Sequence, residues 1–552
     1  MRITFADVCR FWFLIALAGL ISMLPFSKIV ISISEMVLSG SWALQRFDAA
    51  GLWRQLKKRS SGSAIALVIP YTLVYLFKGI GKGFRDLYRN TPAMVFLSIF
   101  LLHIAGLIFT TDFDYAMKDL RTKLPLILIP LFLGTSKPLG RQLFNAYLFL
   151  FLLALLIGTL MYSWKIYHLK YIDIRDVSRN VSHIILGLEL ALGLFILAWF
   201  VVRRSFPVWS KVLFVVVSAW FIIYIFYSRS FTGLAVFAIT AMILLPILVF
   251  RQKRPDLKIL LAAVMILAAA GSGIYISRIV KEYNTVHPVD KTRLDSLSSR
   301  GNPYEHNRSS DWTENGNYLY IYCQFGELKD AWNKRSKISY DSTGVNGEKV
   351  SYTLIRFLTS KNLRKDADGV NALSNAEIKA VERGVPNYLF LDQFSMRSKI
   401  YELLRGYEMY KQSGDPTGYT LMQRIEYWKA SLGIISENWL TGVGTGDMNE
   451  AFQQQYIRMN SKLTPDKRWR SHNQFLSVFV GFGIVGLAWF LFALIYPALK
   501  LRGFSDYFFL VFMIIALLSM MTEDTLESQM GVTFFTFFYC FFLFGRKGYD
   551  RI

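Results

Sequence analysis

The chain has 552 residues, 53% of them hydrophobic and 16% aromatic, with a formal net charge of +23. Its apolar residues come in blocks of roughly 15–25, enough to cross a bilayer core of about 30 Å, which excludes an ordinary soluble domain. Three cysteines, Cys9, Cys323 and Cys540, lie far apart and exclude a disulfide framework or a cysteine zinc site. The basic excess requires no nucleic acid, because cytoplasmic loops of membrane proteins are rich in Lys and Arg.

In chain order, the opening "MRITFADVCRFWFLIALAGLISML" resembles a signal anchor. No small-residue cleavage site follows it, so it reads as a retained first helix. Twelve spanning segments are expected, at about 10–25, 27–44, 91–110, 123–135, 142–162, 182–201, 211–227, 231–250, 259–277, 474–499, 506–521 and 531–545. Segment 45–90 carries nine Lys or Arg against two Asp. Together with Arg203, Arg204 and Lys211, "RQKRPDLK" at 251–258 and the C-terminal "GRKGYDRI", it falls on the cytoplasmic side if the N-terminus is inside. The opposite connections, such as "TDFDYAMKDLRT" and "TEDTLESQM", are neutral, acidic or weakly basic. Residues 63–78, "SAIALVIPYTLVYLFK", are apolar enough to span, but a span there would put basic clusters on both faces. They read as re-entrant or interfacial. The expected class is an all-α polytopic membrane protein of about twelve transmembrane helices, with a large outer segment between the ninth and tenth.

This threading divides the chain into 1–277 (nine helices and a basic cytoplasmic segment at 45–90), an outer segment 278–472, and 473–552 (three helices). The outer segment is too long for an idle connection. Its part 281–419 is mixed polar and aromatic and reads as a small folded insertion. From 420 to 440, Leu421, Ile425, Trp428, Leu432, Ile435 and Trp439 recur at helical spacing, one apolar face suited to the membrane surface or to docking on the bundle. "GVGTGD" at 442–447 reads as a cap and turn, since a nucleotide cradle would need a preceding strand.

Candidate chemistry gathers on the outer side. Arg229 interrupts "FIIYIFYSRSFTGLAVF", and His472 with Asn473 opens the apolar run "QFLSVFVGFGIVGLAWF". An arginine between apolar helices either snorkels to the interface or serves a site, and His472 either caps a helix or moves a proton. Arg424 stands one helical turn before Trp428. Arginine suits diphosphate through paired, charge-assisted hydrogen bonds, and histidine suits proton removal from a hydroxyl near neutral pH. No carboxylate cluster of magnesium-site character and no histidine-rich metal box is evident, and two arginines could neutralise a pyrophosphate leaving group without a metal. Arg121, Lys123, Arg175, Arg179 and His183 are secondary candidates for phosphate or glycan contact, or interfacial anchors. His103, inside the third helix, reads as a packing residue.

"SRSFTGLAVF", "RIEYWKASLGIISENWLTGVGTGD" and "HNQFLSVFVGFGIVGL", in this order, resemble the O-antigen ligase and polymerase superfamily of bacterial inner-membrane proteins. The likeness covers roughly 210–277 and 420–500. It implies a GT-C-like fold and metal-independent, inverting transfer of a glycan from undecaprenyl pyrophosphate to a lipid A–core sugar hydroxyl at the periplasmic face. It also implies that Arg229 and Arg424 hold the pyrophosphate and His472 activates the acceptor, with Asn473, Trp428, His183, Lys123 and Arg121 in support. The implied partners are the lipid-linked donor, the lipid A–core acceptor and membrane lipids, with no cofactor. A repeat-unit polymerase or a protein O-oligosaccharyltransferase would share the donor and differ in acceptor. A lipid-diphosphate or anion transporter is the reading from another class, against which stands the lack of an internal repeat between the two halves.

Overall fold

Where no water reaches the backbone, its N–H and C=O groups must pair within the segment, so apolar blocks of this length fold as helices. The computed structural model describes residues 5–57, 61–169, 182–203, 205–228, 230–251, 254–344, 348–392, 395–546 and 548. Among the described residues the strands are two dipeptides, Thr313–Glu314 and Asn317–Tyr318, paired antiparallel. The chain forms two compact units, Met1–Leu261 with Gln423–Ile552, and Ala262–Met422.

Among the described residues, eight helices are long and apolar enough to cross a membrane by length and composition: Phe5–Met23, Thr91–Phe109, Arg141–His168, His183–Val202, Val208–Tyr227, Thr232–Phe250, Pro255–Asn284 and Gln474–Lys500. Two further apolar helices, Tyr507–Thr522 and Gln529–Leu543, are shorter. At 1.5 Å per residue these reach only about 23 Å. The expected span at 123–135 is the helix Pro125–Thr135, of 11 residues and about 16 Å. Twelve full-length spans are therefore not established. The stretch 63–78 lies within one continuous helix, Ser61–Arg89, which runs through Pro70.

The larger unit is organised around its last helix. Every residue from Met530 to Leu543 is buried, as expected for a helix that is apolar on all sides. Its rings stack on neighbours: Phe96 lies 4.1 Å from Tyr539 and Phe144 4.9 Å from Phe541, both near-parallel. Because this helix is fixed by packing, the connection that precedes it, 523–528, is held at one end of the bundle.

The helix Gln474–Lys500 is broken. At Gly483 the backbone turns to φ 63°, ψ −167°, a region that only glycine adopts without strain. The break frees helix carbonyls, and the glycine turn takes them up: Val443 N–H donates to Val480 O and Gly444 N–H to Gly481 O, each at 2.9 Å. Ile484 N–H in turn donates to Trp439 O at 2.8 Å. Gly442, at φ +72°, lies so close that a Cβ there would come within 2.4 Å of Gly481 and Phe482 backbone atoms. "GVGTGD" is thus a turn whose backbone completes a broken helix.

The helix Thr420–Glu437 docks by a face that shares Ile435 with the expected apolar stripe and is otherwise rotated from it. Tyr427, Ala430 and Ile434 are buried against Phe452, Tyr456 and Val480, while Leu432 and Trp439 are exposed. Small and mixed residues pack here because the partner helix, Met448–Arg458, approaches from that side and supplies the aromatic bulk.

The smaller unit has a core of its own, centred on Trp332, Leu354, Phe357, Leu358 and Val370. Inside it Arg356 pairs with Glu314 at 3.0 Å, and Cys323 is a buried free thiol.

Replacing Gly483 with alanine would place a Cβ 2.2 Å from the Leu440 carbonyl and force a glycine-only conformation. Gly483→Ala should lower stability by at least about 1–3 kcal/mol, the scale of such backbone strain. Thermal unfolding in detergent tests this, and an unchanged midpoint would show that the break is not required.

Candidate functional site

Asn473 starts the helix Gln474–Lys500 as its N-cap. Its Oδ1 accepts from Phe475 N–H at 3.0 Å and Leu476 N–H at 3.1 Å. The residue before it, His472, adopts φ +46°, a left-handed conformation uncommon outside glycine. Asp524 holds this bend. Its carboxylate accepts from the backbone N–H of His472 and of Asn473, each at 3.0 Å, and from the hydroxyls of Ser471 at 3.1 Å and Ser477 at 2.7 Å. Burial, added to by the nearby charge of Glu527, pushes the Asp524 carboxyl above its ordinary value; Ser477, His472 and Arg470 offset part of this.

Glu523 links two of the candidates. One oxygen lies 3.1 Å from His472 Nδ1 and the other accepts from the Arg424 guanidinium. The opposite face of the imidazole is covered by Tyr427, whose ring stacks at 5.4 Å and 28° and whose hydroxyl donates to Lys467 O at 3.0 Å. With Nδ1 occupied, the ring is oriented with Nε2 as its second proton-carrying position, and the side chain stays about one-third exposed (33%).

Glu527 anchors a second cluster. It accepts from Lys123 Nζ at 3.0 Å and from Arg470 at 2.8 Å, and Lys123 also pairs with Asp119 at 2.6 Å. Burial alone would raise the Glu527 carboxyl, but Lys123 and Arg470 outweigh it and hold Glu527 well below the usual carboxylate range. Lys123, drawn down by burial, is raised on balance by Glu527 and Asp119. Arg470 also donates to Asn449 Oδ1 at 2.9 Å and sits 5.0 Å over the Tyr115 ring, while its Nη2 is buried with no hydrogen-bond partner.

His472, Arg470 and the three carboxylates line one cavity of about 640 Å³, and Arg424, Asn473 and Lys123 stand behind its lining. Arg468, Trp469, Arg470 and His472 form one wall, and Glu523, Asp524 and Glu527 another. Ile184, Ile185 and Phe452 add an apolar side. The volume is in the range of small-molecule sites, about 300–1,000 Å³, and the mixture of apolar wall with a few convergent polar groups is typical of them.

Of the residues singled out from sequence, His472, Asn473 and Arg424 are joined through Glu523 and Asp524. Lys123 is a buried ion-pair partner of Glu527, a position in which it stabilises the site and does not face the cavity. His183 is the first residue of its helix, between the lining residues Ser182 and Ile184, and its carbonyl accepts from Ser230 at 3.5 Å. Arg121 is exposed, and neither it nor Trp428 lines the cavity. His103 is buried in packing, with Nδ1 2.9 Å from Ile99 O. Arg229, Arg175 and Arg179 lie outside the described residues.

Sequence reading singled out no acid for this site, and among the described residues no group of acids is placed to hold a metal ion. Glu523, Asp524 and Glu527 do converge, with imidazole, guanidinium, ammonium and backbone donors as their partners. "TEDTLES" reads only as an acidic connection because its partners are 50 to 400 positions away along the chain. Arg468 and Arg470 were likewise missed, although two arginines immediately before the histidine were a usable signal.

Removing Glu527 leaves Lys123 buried with one counter-charge fewer. Glu527→Ala should cost about 3–5 kcal/mol, as for one partner of a buried pair, and Lys123→Met in the same chain should recover much of it. Because Glu527 is held below its ordinary value, its stabilisation is present above pH of about 4.5 and is lost as pH falls toward the lowered value. The wild-type melting midpoint should therefore drop below that pH, and Glu527→Gln should flatten this drop. A loss under about 1 kcal/mol in Glu527→Ala would contradict the ion-pair account.

No curated protein matches the chain. Residues 384–491 match the model of a family described as O-antigen ligase. The matched segment holds Arg424, the glycine turn and His472, and it is in this part that the chain is similar to that family.

Proposed function

We propose that the protein transfers a glycan from undecaprenyl pyrophosphate to a sugar hydroxyl of lipid A–core, at the periplasmic face of a bacterial inner membrane. The observation that carries this reading is the Glu523 carboxylate bridging Arg424 and His472 beside the cavity. One carboxylate thereby sets the spacing of a cation for the leaving group and a base for the attacking group.

In this mechanism His472 Nε2 takes the proton of the acceptor hydroxyl as its oxygen attacks the anomeric carbon. The bond from that carbon to the pyrophosphate oxygen breaks, and the configuration inverts. The departing diphosphate gains negative charge, which Arg424 and, on the family likeness, Arg229 take up by charge-assisted hydrogen bonds. Glu523 stabilises the imidazolium that forms, in the manner of a carboxylate behind a catalytic histidine. A guanidinium carries five N–H donors, so Arg424 can keep Glu523 and still engage phosphate. Guanidinium groups thus do the work a metal ion does elsewhere. The apolar Ile184, Ile185 and Phe452 suit the lipid end of the donor, and orientation with basic connections inside would turn the cavity outward.

His472→Ala should reduce transfer by about 10²–10⁴-fold, the usual contribution of a general base. Arg424→Ala should reduce it about 10- to 100-fold, from loss of about 1.5–3 kcal/mol of charged hydrogen bonding. Wild-type rates in correctly folded His472→Ala protein would refute the assignment. The acceptor is decided by the lipopolysaccharide of a deletion strain. Long polymer left on the carrier with bare core supports the ligase, core bearing a single repeat makes the protein a polymerase, and an unchanged profile removes lipid A–core as acceptor.

A further inference from the structure

The helix Met448–Arg458 has polar residues on two opposite faces, and each faces a cavity. Asn449 and Gln453 point to the cavity that holds His472. Glu450, Gln454 and Arg458 line a second, open cavity of about 410 Å³, bordered also by Glu437 and Asn438 and by the glycine turn at Gly442, Val443 and Asp447. One helix, about 10 Å across, therefore separates two cavities.

Their chemistry differs. The first sets two arginines and a histidine among three carboxylates, and Nη2 of Arg470 is buried there without a hydrogen-bond partner. In the second, Arg458 is the single cation among the described lining residues, and Glu437 neutralises it at 2.6 Å. Asp447 is occupied by the backbone N–H groups of Thr111 and Asp112, at 2.8–3.0 Å. Gln454 donates to Glu450 at 2.9 Å. Both cavities have three carboxylates, but the second has only this one, already paired, guanidinium to offer, which disfavours a phosphate. Amides that both donate and accept, beside carboxylates that accept, match the hydroxyls of a sugar, which also donate and accept. Ile434, Val443 and Ala451 offer apolar contact for the C–H faces of such a ring.

We propose that this second cavity is a subsite for uncharged sugar residues of the glycan, one helix width from the reacting carbon. The assignment rests on the glycan-transfer reading of the first cavity. The sugars come from the donor chain or from the acceptor oligosaccharide, and the two sources share the chemistry.

The test uses the full-length protein in detergent and the double variant Glu450→Ala/Gln454→Ala, whose two sites are exposed and whose replacement by alanine suits a helix. Saturation-transfer NMR is recorded with free neutral oligosaccharide, released by mild acid from the host's lipid-linked glycan. Signals should appear with the wild type and with His472→Ala, and should fall at least fivefold with the double variant. Equal signals in all three proteins, or none in any, would overturn the subsite. In a transfer assay the double variant should raise KM several-fold at unchanged kcat, for the donor if the sugars are the donor's and for the acceptor if they are the acceptor's. If neither KM moves, the subsite falls while the transfer reading stands. If His472→Ala retains full transfer, the catalytic reading falls, and the NMR comparison still decides whether this cavity binds sugar.

Discussion

The arrangement depends on one short acidic connection, 523–528, acting on the residues just before a helix start. Its three carboxylates have three separate tasks. Asp524 accepts the backbone N–H groups that fix the left-handed bend at His472, Glu523 orients the imidazole and the Arg424 guanidinium, and Glu527 neutralises the buried Lys123 with Arg470. Without these anions the region would hold several cations in a partly buried space, a costly state unless each is paired. The site is therefore built around internal counter-charges.

A second constraint is the broken helix. An uninterrupted Gln474–Lys500 would satisfy its own carbonyls and leave the glycine turn nothing to bond. The Gly483 break exposes Val480 O and Gly481 O, and the turn at 442–447 docks on them. The same turn borders the second cavity and, through Asp447, ties down Thr111 and Asp112. Two glycine motifs distant in sequence are thus halves of one backbone joint. That joint positions the helix Met448–Arg458 as the partition between two cavities of different polarity.

Much of the architecture was legible in the chain. Long apolar blocks announce helices because a backbone deprived of water has to bond locally, and eight of the expected spans recur as long apolar helices. The count was less legible, since Pro125–Thr135 and Gln529–Leu543 are apolar but short. The last helix is apolar on all sides because it lies at the centre of an aromatic core, and burial by protein leaves the same trace in sequence as burial by lipid. The packed face of Thr420–Glu437 only partly follows its apolar stripe: Ile435 is buried and Leu421 and Leu432 are exposed, while Tyr427, Ala430 and Ser431 lie inside.

His472, Asn473 and Arg424 could be singled out from sequence because a histidine at a helix start and an arginine on an amphipathic turn are local anomalies. Their partners could not, since acids in an outer connection look like ordinary solvated charge. The sequence by itself determined which segments are helical, where their apolar blocks lie, and which few polar residues stand out against them. Only the tertiary structure decided that Glu523 joins Arg424 to His472, that Lys123 is buried by Glu527, and that one helix divides two cavities. Those relations are contacts between residues far apart along the chain, and packing alone brings them within hydrogen-bonding distance.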